Sequence, residues 1–247
     1  FPISKASEFE RIQTLIKNSN IHTICEEGRC PNRAECYASG TATFLLGGSI
    51  CSRACAFCQV SKGKPAEINN YESIQVAEAV KTLNLKYVVL TSVARDDLTD
   101  HGASLFVSTI NEIRKIDPNI QIEVLTPDLW GGGKSFEDKD KLQKERLKMI
   151  LDKKPICFNH NLETVARLQK EVRRGANYKN SISLLKKAKS IAPNIQTKSG
   201  IMLGLGETLE EIENTILDLK TVDCDQITIG QYLRPSLKHL SVKKYWE

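Results

Sequence analysis

The sequence has no apolar run that approaches the roughly 18–20 residues a membrane-spanning helix needs. It also lacks the charged and then apolar start of a secretory signal peptide, an internal repeat and a low-complexity tract. These absences argue against membrane, secreted and repeat proteins, and the expected location is the cytoplasm, or an organelle matrix in a eukaryote. The chain begins at Phe1 rather than Met, which predicts a processed or truncated form.

A large excess of one charge sign is also missing. The 247 residues carry 35 Lys and Arg against 30 Asp and Glu, a formal net charge of +5, with a pI near 8.7. This mildly basic balance does not by itself predict nucleic-acid binding. Hydrophobic residues make up 40% of the chain, enough to form the core of one large α/β domain or of two small ones.

Cysteine, in contrast, is concentrated in one part of the chain, which contains eight cysteines in all. Six of them form two triplets: Cys25, Cys30 and Cys36, spaced C-x4-C-x5-C, and Cys51, Cys55 and Cys58, spaced C-x3-C-x2-C. A chain of this size does not need disulfides for stability, and clustered thiols more often bind metal. The isolated Cys157 and Cys224 are expected to be small buried hydrophobic residues.

Short apolar runs alternate with longer amphipathic ones. The predicted strands are Thr43–Gly47, Tyr87–Thr91, Ile120–Leu125, Ile156–Asn159, Gly200–Leu203 and Gln226–Gly230. The predicted helices are Ser73–Leu83, Ser104–Ile116, Lys141–Leu151, Leu162–Gln169, Ser181–Ile191 and Leu209–Leu219. Such alternation predicts a parallel sheet with right-handed crossovers. Six units, rather than the eight of a closed TIM barrel, predict an open, partial barrel.

Polar stretches follow several of the predicted strands. The loop that carries Cys51 and residues 91–97 and 159–164 all lie at strand ends, where ligands gather in such sheets. Residues 1–42 precede the first strand and are predicted to be an appended, cysteine-rich extension rather than a self-standing domain. Residues 130–148 are predicted to be a glycine-rich loop that leads into a solvated helix.

Each triplet is one cysteine short of the four protein ligands that a structural zinc site or an iron–sulfur cluster normally takes. Four histidines are available, none at a convincing zinc spacing: His22, His101, His160 and His239. A cluster held by three cysteines explains the shortage better, because one iron stays open to a substrate or cofactor. A zinc-stabilised binding module without catalysis remains the alternative from another functional class.

The stretch CSRACAFC at 51–58 resembles the motif C-x3-C-x-φ-C of radical S-adenosylmethionine (radical SAM) enzymes, with Phe57 at the aromatic position φ. The resemblance implies a (βα)6 partial barrel over about residues 43–235. It also implies that Cys51, Cys55 and Cys58 hold a catalytic [4Fe–4S] cluster. The open iron would chelate the amino and carboxylate groups of SAM, and an electron would cleave SAM to methionine and a 5′-deoxyadenosyl radical.

The upstream stretch CEEGRCPNRAEC resembles the lipoyl synthase family. The same is true of TSVARDDLTDHGA (91–103), FNHNLETVARL (158–168), TKSGIMLGLGET (197–208) and TIGQYLRPSLKHL (228–240). The resemblance covers about residues 8–246. It implies that Cys25, Cys30 and Cys36 bind a second, auxiliary [4Fe–4S] cluster that is broken down as the sulfur donor. A methylthiotransferase or a related radical enzyme with an auxiliary cluster is the enzymatic alternative.

Membership would imply insertion of two sulfur atoms at C6 and C8 of a protein-bound octanoyl chain, with two SAM molecules for each product. No side-chain base can remove these unactivated hydrogens, so hydrogen-atom abstraction is the workable route. The implied partners are octanoylated lipoyl carrier domains, namely acyltransferase subunits of 2-oxoacid dehydrogenases and the glycine cleavage H protein. An electron donor such as ferredoxin or flavodoxin is also implied, whereas nucleic acid and a membrane are not.

The resemblance also assigns residues to SAM. Asn161 and Glu163 are expected to hydrogen-bond its ribose hydroxyls, and Arg173 is expected to pair with its carboxylate. A surface arginine is the competing interpretation of Arg173. The small residues of 200–207 suit adenine packing, and residues 95–97 follow the second strand, where the methionine end could lie.

One feature departs from the family. Its auxiliary cluster takes a fourth ligand from a serine in a C-terminal Arg-Ser-Ser-Tyr-type motif. Residues 1–247 contain no such motif, and Ser236 and Ser241 lie in other contexts. Residues 236–247 are therefore expected to begin a truncated C-terminal segment, and the auxiliary cluster is expected to lack one ligand.

Overall fold

A computed structural model describes residues 10, 12–14, 16, 21–30, 32–38 and 41–246. The strands are β1 (His22–Thr23), β2 (Thr43–Leu46), β3 (Ile50–Cys51), β4 (Ser61–Lys62), β5 (Tyr87–Ser92), β6 (Gln121–Leu125), β7 (Cys157–Asn159), β8 (Gln196–Leu203) and β9 (Gln226–Gln231). The α-helices are α1 (Ile24–Glu27), α2 (Arg33–Ala38), α3 (Glu72–Thr82), α4 (Ala103–Ile116), α5 (Phe136–Leu151), α6 (Gln169–Val172), α7 (Tyr178–Ile191) and α8 (Leu209–Thr221). A short 3₁₀ helix spans Ala166–Leu168.

Seven strands form one sheet in the order β1-β2-β5-β6-β7-β8-β9. Strand β1 pairs antiparallel with β2, and every other pair is parallel. The six parallel strands and the helices between them confirm the predicted partial barrel. Strand β1 was not predicted, because two residues are too few to show a periodic pattern.

The pairing register separates the two faces of the sheet. Phe44, Leu90, Val124 and Phe158 are partners across β2, β5, β6 and β7, and all four are fully buried. Because successive side chains of a strand point to opposite faces, these four side chains lie on one face of the sheet. That face packs against the helices. The neighbouring row faces the interior of the partial barrel.

The residues before β2 contribute to the same core. Ile12, Ile16 and Tyr37 are buried and belong to the hydrophobic cluster that contains Phe44. The Tyr37 hydroxyl also lies 2.9 Å from the Thr23 Oγ1. The cysteine-rich segment is therefore packed onto the barrel.

The helix predicted at Leu162–Gln169 is wrong. Glu163 has a left-handed backbone (φ +66°) and forms a parallel bridge with Ile201 of β8. Its N–H donates to the Gly200 carbonyl and its carbonyl accepts from the Met202 N–H, both at 2.9 Å. These bonds hold the chain beside β8, so the 3₁₀ turn and α6 follow only from Ala166.

Two element starts differ from the prediction by four residues or more. Strand β8 begins at Gln196 rather than Gly200, and α5 begins at Phe136 rather than Lys141. A capping box between Ser135 and Asp138 sets the start of α5.

Within the described part of the chain, no helix has the length and hydrophobicity needed to span a bilayer.

Candidate functional site

Strand β2 ends in a turn that directs the Cys51 loop across the carboxyl edge of the sheet. Gly47 and Gly48 both have left-handed backbones, with φ of +83° and +89°. Their N–H groups donate to the Glu72 carboxylate over 2.8 and 3.2 Å. A Cβ on Gly47 would lie 3.1 Å from a Leu105 methyl group, so backbone angle and space both favour glycine here.

The backbone around Cys51 points two donors at its sulfur. The N–H groups of Ala94 and Arg53 lie 3.3 and 3.4 Å from the Cys51 Sγ. The Ala56 N–H donates to the Val172 carbonyl over 2.8 Å and fixes the middle of the loop. Such N–H···S contacts stabilise thiolate charge and are one way in which proteins tune iron–sulfur clusters.

A cavity of about 290 Å³ opens beside this loop. Six residues singled out from the sequence line it together: Cys51, Cys55, Cys58, Asn161, Glu163 and Arg173. Thr91 and Leu125, which face inward from β5 and β6, and Phe57 also contribute to the lining. The structure thus joins two distant parts of the chain, 51–58 and 161–173, at one end of the sheet.

Arg173 is buried, which rules out the surface interpretation. Its Nη1 donates to the Ser181 Oγ over 2.7 Å and its Nη2 lies 3.2 Å from the His160 Nε2. The other ring nitrogen, His160 Nδ1, lies 2.8 Å from the Thr126 carbonyl oxygen. A carbonyl only accepts, so Nδ1 holds the proton and Nε2 accepts from Arg173 and Ser181. His160 is therefore a fully buried structural support for Arg173.

Electrostatics agree with this neutral histidine. Burial, followed by the charge of Arg173, lowers the pKa of His160 to about 3. Burial also raises the pKa of Glu163, with Arg173 and the Asn161 side chain acting in the opposite sense. The cavity therefore holds one buried cation next to a carboxyl group that is costly to ionise.

Arg53 anchors the cysteine loop to two strand ends. Its Nη2 lies 2.7 Å from the Oδ1 atoms of both Asp96 and Asp128, and its Nε donates to the Asp96 Oδ2 over 2.9 Å. Burial alone would raise the pKa of Asp128, but the charge and hydrogen bond of Arg53 outweigh it and hold this pKa below its usual value. Bidentate pairing with Asp96 fixes the loop between Cys51 and Cys55.

The second triplet lies on the segment before β2. Cys25 is buried in α1, and the Cys30 N–H donates to the Cys25 carbonyl over 3.1 Å. Burial raises the pKa of Cys25, and the charges of Cys30 and Cys36 add smaller effects of the same sign.

Ile24 connects the two triplets. It precedes Cys25 in α1 and lines the 290 Å³ cavity. Like Cys51 and Cys58, it packs against the apolar cluster of Leu45, Val60 and Val93. The segment that carries Cys25 thus borders the Cys51 cavity, with an apolar residue at the boundary.

The arrangement of the cysteines distinguishes a site for one metal ion from a site for a cluster. Among the residues whose placement is described, no three His, Cys, Asp or Glu side chains are close enough to share a single metal ion. A [4Fe–4S] cluster binds each cysteine through a different iron, so its thiols surround a larger volume. Burial raises the pKa of Cys55 to about 11, so its thiolate forms most readily together with a bound cation. The three thiols around the cavity therefore suit a cluster better than one zinc ion.

Several other residues singled out from the sequence lie outside this cavity. Arg95 is buried and donates to the carbonyls of Gly47 and Ala66 over 3.1 and 3.0 Å, so it stabilises the turn after β2. His101 has φ +51° and lies in the turn before α4. Glu207 accepts from the Trp246 indole N–H over 2.8 Å and closes the glycine-rich loop after β8.

The two isolated cysteines differ in burial. Cys157 is buried, as predicted, whereas Cys224 is only partly buried. The Cys224 Sγ lies 3.3 Å from the Gln226 carbonyl oxygen.

Sequence reasoning missed three residues that shape the site: Arg53, Asp128 and Ser181. Asp128 follows the end of β6, a position that the strand-end rule could have flagged. Arg53 occupies a variable position of the cysteine motif, and Ser181 lies on the buried face of α7, so neither carries a local signal.

Known proteins resemble this chain in sequence. The sequence profile of the radical SAM superfamily matches residues 45–219. Lipoyl synthase 2 of Prochlorococcus marinus subsp. pastoris is 90% identical over 246 residues, which cover 100% of this chain and 82% of the relative. The lipoyl synthase of Alcanivorax borkumensis is 47% identical over 238 residues, covering 96% of this chain and 70% of the relative.

Solved structures show the same fold at low sequence identity. Methylornithine synthase matches with a TM-score of 0.57 at 14% identity, over 95% of this chain and 69% of that protein. SuiB of Streptococcus suis matches with a TM-score of 0.58 at 14% identity, over 87% of this chain and 46% of that protein. The fold, the matched profile and the sequence relatives lead to one conclusion: the chain belongs to the lipoyl synthase family of the radical SAM superfamily.

Proposed function

We propose that this protein inserts two sulfur atoms, at C6 and C8, into a protein-bound octanoyl chain, and that the two cysteine triplets have different roles in this reaction. The observation that carries the proposal is that Ile24, next to Cys25, lines the same cavity as Cys51, Cys55 and Cys58. A sulfur donor must lie beside the site where the substrate radical forms, because such a radical reacts with whatever is nearest. The adjacent triplets meet this requirement.

Cys51, Cys55 and Cys58 would hold the cluster that binds SAM. When bound, this cluster supplies the electron that cleaves SAM and so generates the radical. Arg173 would orient the SAM carboxylate, since it is fixed by Ser181 and His160 before the ligand arrives.

Asn161 and Glu163, which line the same cavity, would bind the ribose hydroxyls. The apolar side chains of Ile24, Phe57 and Leu125 would exclude water from the reacting carbon, because they line the same space. Cys25, Cys30 and Cys36 would hold the sulfur-donating cluster.

The proposed substrates are octanoyl groups on lipoyl carrier domains of 2-oxoacid dehydrogenases and of the glycine cleavage H protein. Ferredoxin or flavodoxin is the proposed electron donor. The net charge of +5 favours acidic partners. Carrier binding should therefore weaken as salt concentration rises, and binding that is insensitive to salt would contradict a charge-based contact.

The proposed function is tested by anaerobic reconstitution with iron and sulfide, followed by incubation with an octanoylated carrier peptide, SAM and a reductant. The protein should take up about eight iron and eight sulfide ions per chain, four of each for each cluster. Mass spectrometry should then detect a peptide with two added sulfur atoms. A colourless zinc protein, or a peptide modified at another position, would contradict the assignment.

Gly200 provides a further test of the cavity. A Cβ at this position would lie 2.8 Å from the Asn161 Oδ1, so Gly200→Ala must displace the Asn161 side chain. Loss of one hydrogen bond to a ribose hydroxyl should weaken SAM binding about tenfold. Gly230→Ala on the neighbouring strand β9 is the matched control, because its Cβ meets no atom within 4 Å. Equal SAM affinity of the two variants in a binding titration would argue against a role for Asn161.

A further inference from the structure

The segment after β9 contains a motif, RPSLKHL at 234–240, for which the proposed function gives no role. Residues 232–246, called here the C-terminal strap, run from the end of β9 back over the site. The Tyr232 hydroxyl donates to the Leu240 carbonyl over 3.0 Å, and the Arg234 Nε donates to the His239 carbonyl over 2.9 Å. These bonds give the strap a compact fold of its own.

One end of the strap is attached to the loop after β8. The Lys243 N–H donates to the Gly204 carbonyl over 2.7 Å, and the Trp246 indole N–H donates to Glu207. A Cβ on Gly204 would lie 2.4 Å from the Lys244 carbonyl oxygen, so only glycine allows this close approach. The strap is thus fixed to the barrel independently of the cysteine loop.

The other end of the strap reaches the cysteine motif. The His239 Nε2 lies 3.1 Å from the carbonyl oxygen of Cys58, and its Nδ1 lies 2.9 Å from the Ser236 Oγ. Because the carbonyl can only accept, Nε2 carries the proton, and Nδ1 accepts from the Ser236 hydroxyl. Ser236 therefore selects the tautomer that donates to Cys58.

The Cys58 carbonyl belongs to the turn that presents two of the three thiols. The Cys58 N–H donates to the Cys55 carbonyl over 3.3 Å, so one short turn carries both thiols. A fixed Cys58 carbonyl limits rotation of the peptide that joins Cys58 to Gln59, and so restrains the backbone that presents the Cys58 sulfur. One hydrogen bond from His239 can thereby order the third ligand position.

We propose that His239 is a positioning residue for the cluster bound by Cys51, Cys55 and Cys58, and that Ser236 sets its tautomer. The inference rests on the proposed function, since it requires a cluster at these three thiols. It assigns the 234–240 motif to stabilising the cluster loop from outside the barrel.

The test uses a parent variant in which Cys25, Cys30 and Cys36 are all alanine, so that bound iron reports only the Cys51 site. After reconstitution, the rate of iron loss to a chelator is measured. His239→Phe should lose iron about fivefold faster than the parent, as expected for one lost hydrogen bond. His239→Gln should behave like the parent, because its amide nitrogen can replace Nε2 as the donor.

Two further variants complete the series. Ser236→Ala should accelerate iron loss less than His239→Phe, because Nε2 can still carry the proton part of the time. Leu237→Ala is the matched control, since this side chain is 87% exposed on the same strap, and it should lose iron at the parent rate. The melting temperature of the apoprotein should be the same in all variants.

The inference is overturned if His239→Phe retains iron as long as the parent, or if His239→Gln loses it as fast as His239→Phe. It is also overturned if His239→Phe lowers the melting temperature of the apoprotein, because the effect would then be general destabilisation. A parent that binds no iron would overturn the proposed cluster site as well. Failure of the inference and failure of the proposed function therefore give different results.

Discussion

Cys25→Ala is expected to abolish sulfur insertion and to leave the reductive cleavage of SAM intact, whereas Cys51→Ala should abolish both. The reason is the separation of the triplets: Cys51 lines the cavity with Arg173, whereas Cys25 is buried in α1 behind Ile24. Loss of one of only three thiolates removes the cluster at that triplet. The measurement is 5′-deoxyadenosine formed and sulfur added to an octanoylated peptide, in the same reaction mixture.

Cys224→Ala serves as the matched control for loss of a thiol. Cys224 is partly buried and lies on neither triplet, so both products should form at the parent rate. If Cys25→Ala reduced SAM cleavage as strongly as Cys51→Ala, the division of roles between the triplets would be wrong.

Arg173→Met is expected to weaken SAM binding by about 10- to 100-fold, the effect of losing a charged hydrogen bond to a carboxylate. Arg173 is buried, and two of its nitrogens are already engaged by Ser181 and His160, so its position is set in the free protein. Removal of the guanidinium deletes the cation that Ser181 and His160 hold in the cavity. Affinity is measured by titrating the reconstituted protein with SAM.

Two milder variants separate the effect of the Arg173 charge from the effect of its position. Arg173→Lys keeps the cation but cannot donate to Ser181 and His160 in the same fork geometry, so its affinity should fall between those of the parent and Arg173→Met. Ser181→Ala leaves the guanidinium present but less constrained and should have the smallest effect. An unchanged affinity in Arg173→Met, with an intact cluster, would remove Arg173 from the SAM site.

Sequence patterns predicted the fold correctly where residues close together in the chain determine the local structure. The apolar runs at Tyr87–Ser92 and Gln121–Leu125 form buried parallel strands, as their composition indicates. The capping box from Thr208 to Glu211 begins α8 where it was expected. Spacing alone also indicated that Cys51, Cys55 and Cys58 would converge, because seven intervening peptide bonds keep them within reach of one another.

What escaped prediction depends on contacts between distant segments. The left-handed backbone of Glu163 depends on its bridge to Ile201, which lies on a strand further along the chain. Local propensity alone favoured a helix at this position. The contact of His239 with the Cys58 carbonyl spans 181 positions, and nothing in either local sequence encodes it. The ion pair between Arg53 and Asp128 likewise forms only when the strands of the partial barrel have assembled.

In the proposed reaction, sulfur passes from the Cys25 triplet to a substrate radical formed at the Cys51 cavity. In the most direct test, the protein is reconstituted with isotopically labelled sulfide and transferred to a buffer that contains no sulfide. Octanoylated peptide, SAM and a reductant are then added, and the product of the first turnover is analysed by mass spectrometry. The expected product carries label in both sulfur atoms, and the Cys25→Ala variant should yield none. A product with unlabelled sulfur, or labelled product from Cys25→Ala, would contradict the account.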